Sequence, residues 1–236
     1  RGGGAGVAAR FGHADDNLDR PVVVWGSSAI PAANPELVAA IERGRPVLQR
    51  AQILAELMDM KRGIAVAGTH GKTTTASMIA NTMELLELKP SFVVGGELND
   101  VGSNARAGEG EWLVAEADES DGSLLNLHPE IAVITNVELD HHSHYTCVVG
   151  VIEVFKEFVA GLPEHGALVI WDTPLLREIA KSTSARVVTY GIDEGADYRA
   201  ARLESNREGS SYDLFWGDAG AAGQEVSGDC RVSLRV

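Results

Sequence analysis

Cysteine is scarce. Cys147 and Cys230 are the two in 236 residues, too few and too far apart for a disulfide scaffold, and they fit reduced thiols in a cytoplasmic setting. Basic residues are also short: 20 Lys and Arg stand against 34 Asp and Glu, a formal net charge of −14. A field of that sign repels nucleic acid and anionic lipid, so neither nucleic acid nor membrane is an expected partner. Small polyanions are not excluded, because main-chain N–H groups and a bound cation act at contact distance. No apolar run approaches the ~20 residues that cross a bilayer, and no secretory leader is read. The chain opens Arg1-Gly2-Gly3-Gly4 without a methionine, so an upstream segment is expected. Glycine, by contrast, is abundant at 26 residues, above its usual share of about 7%, which suits a loop-rich α/β chain better than a helical bundle.

The apolar pattern alternates between strand and helix. Val22–Trp25 reads as a short strand; Asn34 caps a helix that has Pro35 in its first turn and Gly44 just past its end. A second helix is expected over 51–60, with Ile53, Leu54, Leu57 and Met58 on one face. From Gly63 the order is strand 64–67, helix 72–86, strands 92–94, 112–116 and 131–135, helix 149–160, strand 167–171, a helix opened by Thr173 and Pro174, and strand 186–190. Such alternation implies an α/β fold with a mostly parallel sheet covered by helices on both faces, whose ligands belong at the carboxyl ends of the strands. Past Asp193 a looser, hairpin-prone region with a strand at 212–216 is expected, followed by a Gly-rich turn or mobile loop over 217–228.

The sharpest signal is AGTHGKTTT at 67–75, between the apolar run Ile64-Ala65-Val66 and the helix that follows. Strand, glycine turn, Lys-Thr and helix together build a phosphate cradle. Gly68 and Gly71 allow tight turns that aim N–H groups at phosphate oxygens, with Thr69, His70 and Thr74 in the same loop. Lys72 is expected to reach the β and γ phosphates of ATP, and Thr73 to hold Mg²⁺. The strict GxxxxGK[ST] pattern asks for glycine where Val66 stands, and a chance glycine turn is the plain alternative.

Three further clusters fall near strand ends. Glu116 ends an apolar strand that runs into Asp118, Glu119 and Asp121; Glu116 is the candidate magnesium ligand, against an ordinary solvated acidic turn. Thr135 to His144 carries His141, His142 and His144, with Cys147 close behind. Zinc is conceivable there, but the ligands crowd too closely to wrap a tetrahedron, and exposed loop histidines are the alternative. Gly95–Asn99 and Gly102–Arg106 offer glycines, amides and one arginine, which suit an anionic or sugar-like ligand or a plain polar loop.

In order and spacing, SSAIP at 27–31, NPE at 34–36, AGTHGKTTT at 67–75, GGELN at 95–99, GSNAR at 102–106, AEADESDGS at 115–123 and TNVELDHH at 135–142 closely resemble the Mur ligases, in the branch that acts on L-alanine. The resemblance implies a parallel-sheet, P-loop-type central ATP-binding domain over 63–236, preceded over 1–62 by the end of a Rossmann-like, UDP-sugar-binding domain. It also implies that a C-terminal amino-acid-binding domain belongs to the whole protein and that this fragment alone is inactive. The implied activity is cytoplasmic: ATP-dependent joining of L-alanine to the lactyl carboxylate of UDP-N-acetylmuramate through an acyl phosphate, in peptidoglycan precursor synthesis. The implied catalytic residues are Lys72, Glu116 and His141; ATP would be held by Gly68 to Thr74, and Mg²⁺ by Thr73 and Glu116, with His141 at a second metal. Ser27 and Ser28 match the UDP contacts, and His70, Asn104 and Arg106 the muramyl end. Asp172-Thr173 stands where relatives carry Asp-Asp, which leaves that position without an assigned role. The alternatives are a murein tripeptide-recycling ligase of the same superfamily and a non-catalytic nucleotide-binding module.

Overall fold

The computed structural model describes residues 12–18, 23–26, 30–98, 103–119, 122–138, 148–207, 209–217 and 228–235. The chain divides into two compact units, Arg1–Glu56 and Leu57–Val236.

In the first unit a 3-10 turn (Asp15–Leu18) precedes β1 (Val24–Gly26), α1 (Pro35–Glu42) and β2 (Val47–Gln49). As the sequence implies, Asn34 caps α1: its side chain accepts the Glu36 N–H at 2.9 Å, satisfying a first-turn donor that the helix cannot. Gly44 closes the turn after α1 at φ +62°. β1 and β2 pair in parallel, and β2 was not anticipated. Leu18, Ala39 and Ala40, with Val24 and Val47 against them, form a small core. α2 (Arg50–Asp59) carries the chain across the unit boundary. Its buried positions are Ala55 and Met58, whereas Leu57 is exposed; the expected four-residue apolar face is therefore narrower and shifted.

The second unit is built on β3 (Arg62–Ala67), β4 (Ser91–Leu98), β5 (Ser103–Arg106), β6 (Trp112–Glu116), β7 (Ile131–Ile134), β8 (Ala167–Trp171), β9 (Arg186–Gly191), β10 (Tyr198–Asn206), β11 (Gly209–Trp216) and β12 (Gly228–Arg235). These ten described strands form one sheet in the order β12-β11-β10-β9-β8-β7-β3-β6-β4-β5. From β4 to β10 neighbours are parallel, and the edges β5, β11 and β12 are antiparallel. The chain leaves β3 through α3 (Lys72–Leu85) toward one edge, returns to β6, then crosses to β7 and steps outward through α4 (Val148–Ala160) and α5 (Pro174–Ala180). Right-handed crossovers in opposite directions put α3 and α4 on opposite faces of the sheet. The reversal lies at the carboxyl ends of β3, β6 and β7, where an open α/β sheet leaves a crevice.

The core on the α3 side joins Ile64, Val66, Ala76, Ala80, Met83, Phe92, Val94, Val114 and Val133. At the other ends of the strands Arg62 ties β3 to its neighbours: its guanidinium donates to Glu130 at 2.5 and 2.8 Å and to Glu111 at 3.2 Å, and lies 4.0 Å from the Trp112 ring centre.

Two segments in which no strand is expected are strands. Gly95 and Gly96 continue β4, and Ser103–Arg106 is β5. A polar edge strand lacks the apolar alternation that identifies strands in sequence. The region past Asp193 is a three-stranded antiparallel extension, β10-β11-β12, of which 212–216 was the readable part. The expected loop at 217–228 falls largely outside the described residues.

Candidate active site

Val66, at the place where the strict pattern asks for glycine, is fully buried in β3, paired with Glu116 of β6 and Val133 of β7. The backbone breaks out of the ladder two residues later. Gly68 adopts φ +128°, and a Cβ there would lie 2.2 Å from Thr135 Oγ1, 2.8 Å from the Asn136 carbonyl oxygen and 3.0 Å from its nitrogen. Both the dihedral and the close approach require glycine. Gly71, at φ +80°, is the N-cap of α3 and makes no side-chain cap bond. The N–H groups of Lys72 to Thr74 open the helix and have no intrahelical acceptor by helix geometry, so the turn presents donors and partial positive charge to an anion.

Lys72 folds back over this turn. Its Nζ donates to the Gly68 carbonyl at 2.7 Å and to both Glu119 carboxylate oxygens at 3.0 Å. Glu119 is buried, at 7% exposure, which makes this pair far better shielded than a surface ion pair. Glu119 was read only as part of an acidic run; nothing in sequence separates it from Asp118 or Asp121.

Glu116 and Thr73 meet around Gly95. The Gly95 N–H donates to Glu116 Oε1 at 2.9 Å, and a Cβ on Gly95 would lie 2.9 Å from Glu116 Oε2 and 3.3 Å from Thr73 Oγ1. One hydroxyl and one carboxylate oxygen thus both border the space that a side chain on Gly95 would fill. Among the described residues no three His, Cys, Asp or Glu side chains cluster closely enough for a metal ion. The pair suits a hard cation that takes one or two protein oxygens and completes its shell with phosphate and water, and does not suit zinc.

The other expected residues divide. Thr69 and His70 are in the loop, but their N–H groups donate to Asn136, at 3.1 Å to its carbonyl and 2.9 Å to its Oδ1. In this conformation both amides are therefore engaged within the protein, and the free donors of the turn lie further along it. The His70 side chain is exposed, 3.7 Å from Glu138, and Thr74 is exposed on the first turn of α3. Asn104 and Arg106 lie on edge strand β5, apart from the loop after β3 in the sheet order. Asn104 is exposed, while Arg106 pairs with Glu84 of α3 and lies 5.5 Å from the Phe92 ring centre. Ser27, Ser28, His141, His142, His144 and Cys147 fall outside the described residues. Asp172 and Thr173 have structural work: Thr173 Oγ1 caps α5 by accepting the Leu176 N–H at 3.3 Å, and Asp172 accepts from Arg177 at 2.5 and 2.9 Å. The Arg177 guanidinium holds the Asp172 carboxyl below the usual carboxylate range.

Two family models cover most of the chain: the Mur ligase middle domain over residues 66–229 and the Mur ligase family catalytic domain over residues 4–62. The chain is 49% identical over 214 residues to a UDP-N-acetylmuramate–L-alanine ligase of Rubrobacter xylanophilus, covering 90% of this chain and 47% of that protein. It is 44% identical over 207 residues to the enzyme of the same name from Syntrophotalea carbinolica, covering 87% and 45%. It therefore spans about half the length of these relatives. Among solved structures, a UDP-N-acetylmuramate:L-alanyl-γ-D-glutamyl-meso-diaminopimelate ligase from Neisseria meningitides superposes with a TM-score of 0.73 at 27% identity, covering 87% of this chain and 68% of that one. No described helix is long and apolar enough to cross a membrane. With a matched middle domain over more than half its length and a phosphate-type loop at the switch point of its sheet, the chain belongs to the Mur ligase family.

Proposed function

We propose that this chain is the nucleotide-binding part of a cytoplasmic, ATP-dependent ligase that joins L-alanine to the lactyl carboxylate of UDP-N-acetylmuramate in peptidoglycan precursor synthesis. The single observation that carries the reading is Lys72, held by Gly68 and Glu119 directly above a glycine turn and a helix N-terminus. The identity of 44–49% to relatives so named supports the choice of substrates.

In the proposed reaction the lactyl carboxylate oxygen attacks the γ phosphorus of ATP and ADP leaves. The amine of L-alanine then attacks the acyl carbon, phosphate leaves, and the nitrogen loses a proton. Phosphoryl transfer asks a protein mainly to position the reactants and to neutralise charge. The amides from Gly71 to Thr74 would receive the phosphate oxygens, and Lys72 would move from Glu119 to the transferred group. Thr73 and Glu116 would hold Mg²⁺, which would supply charge neutralisation during phosphoryl transfer. His141 as a second metal ligand, and Ser27 and Ser28 at the UDP portion, rest on the motif match alone. His70 remains a candidate for the muramyl end by its exposure. Arg106 is the weakest candidate, since Glu84 occupies it. The domain division at 62/63 remains a reading of the motifs, beside a contact boundary at 56/57.

The test is an omission assay on the full protein that carries this chain. ADP is expected only when UDP-N-acetylmuramate and L-alanine are both present. Release of ADP without either acceptor would replace the ligase with a plain ATPase, and preference for a tripeptide over L-alanine would move it to the recycling branch. Lys72→Ala is expected to lower turnover by about 10²–10³-fold while UDP-sugar binding persists.

A further inference from the structure

The last β3–β7 backbone pair is Ala67 with Ile134. Beyond it the dihedral of Gly68 breaks the ladder, yet the two segments stay joined, now mostly by side chains. The Asn136 carboxamide accepts the His70 N–H at 2.9 Å and donates to the His70 carbonyl at 3.1 Å. In return the Thr69 hydroxyl accepts the Glu138 N–H at 2.8 Å and donates toward the Glu138 carbonyl at 3.3 Å. Each tail thus grips both main-chain groups of one residue on the other. Thr135 Oγ1 adds a bond to the His70 carbonyl at 2.7 Å, and the Asn136 carbonyl accepts the Thr69 N–H at 3.1 Å.

We propose that Asn136 is a positioning residue for nucleotide binding: by pairing with His70 it fixes the phosphate turn, so that the amides that follow it, from Gly71 to Thr74, face the ligand. A carboxamide presents one acceptor and one donor side by side. Aspartate of the same shape keeps the bond from the His70 N–H, loses the one to the His70 carbonyl and adds charge near the phosphates. Alanine keeps neither. The clamp acts on a turn whose two glycines allow many other conformations, so removing it frees the turn and the nucleotide has to order it again.

The inference rests on the phosphate-loop reading of the preceding section. The test measures dissociation constants for Mg-ADP and for UDP-N-acetylmuramate, the KM for each substrate and the melting temperature of the full protein, in Asn136→Ala, Asn136→Asp and Lys72→Ala. Asn136→Ala is expected to weaken Mg-ADP and raise the KM for ATP at least about tenfold, with the UDP-sugar constant unchanged and cooperative melting retained. Asn136→Asp is expected to weaken Mg-ADP at least as much despite its shape, and it decides the matter should the alanine variant fail to fold. Wild-type Mg-ADP affinity in Asn136→Asp, with affinity lost in Lys72→Ala, would overturn the positioning role and leave the loop assignment standing. Wild-type Mg-ADP affinity in Lys72→Ala would overturn the loop assignment, and the positioning role with it.

Discussion

Gly68→Ala tests the loop where it is tightest. The residue has φ +128°, and an added methyl would stand 2.2 Å from Thr135 Oγ1 and 2.8 and 3.0 Å from the main chain of Asn136. Two costs add. A non-glycine residue forced into a sparsely allowed dihedral costs about 1–3 kcal/mol, and a methyl pressed into a packed site costs about 1–3 kcal/mol more. Threonine can rotate its hydroxyl away, but the Asn136 backbone cannot move without dragging β7, so at least about 2 kcal/mol remains. That energy has two outlets. If the loop stays put, stability falls, and about 2 kcal/mol in a unit of this size lowers the melting temperature by roughly 4–8 °C. If the loop moves to relieve the overlap, nucleotide affinity falls instead, by about 30-fold at 1.4 kcal/mol per decade. Calorimetric titration with Mg-ADP and a melting scan on the same sample read both outlets. Gly71→Ala is the control: φ is +80° but a Cβ there meets no protein atom within 4 Å, so it carries only the left-handed cost of about 1 kcal/mol. A Gly68→Ala protein that melts within about 1 °C of wild type and binds Mg-ADP equally well would refute the reasoning.

Gly95→Ala crowds the ends of two flexible side chains, Glu116 and Thr73, more than any backbone; it is expected to change melting little but to raise the Mg²⁺ concentration needed for half-maximal activity by about tenfold. An unchanged magnesium titration would remove Thr73 and Glu116 as the cation site. Asp172→Asn is expected to lower stability by about 1 kcal/mol or less at pH 7, without loss of nucleotide affinity. Because the folded Asp172 carboxyl is held below its ordinary value by Arg177, the pair stabilises above the unfolded value near ~3.9 and the contribution is lost as pH falls through the folded value. The melting difference between wild type and Asp172→Asn is therefore expected to shrink below pH ~4; a difference that instead grows there contradicts the pairing.

Local physics was legible residue by residue. Asn34 with Pro35, and Thr173 with Pro174, announced two helix starts, and the structure caps both helices with those side chains. The apolar runs at 112–116 and 167–171 are strands with those bounds. Two glycines and Lys-Thr after an apolar strand announced the tight turn, since glycine adopts φ of +128° and +80° at little cost. Edge strands were not legible. Ser103–Arg106 is polar and half-exposed, and β10 is exposed along most of its length; neither buries a face that would show as alternation.

Partners across the sheet were equally hidden. Four carboxylates lie between Glu116 and Asp121, and their types are interchangeable in sequence. Composition, the turn and its flanking strand and helix are short-range facts, so the chain itself determined an acidic α/β protein with a glycine turn that leads through Lys72 into a helix. Which acid meets which cation is long-range. Because β6 and β7 flank β3 in parallel, their carboxyl ends deliver Glu116 to Thr73, Glu119 to Lys72 and Asn136 to His70, across 43, 47 and 66 residues of chain. Only strand order brings Lys72 and Glu119, and His70 and Asn136, within hydrogen-bond reach and sets Glu116 and Thr73 about the same glycine, and strand order is a property of the packed sheet.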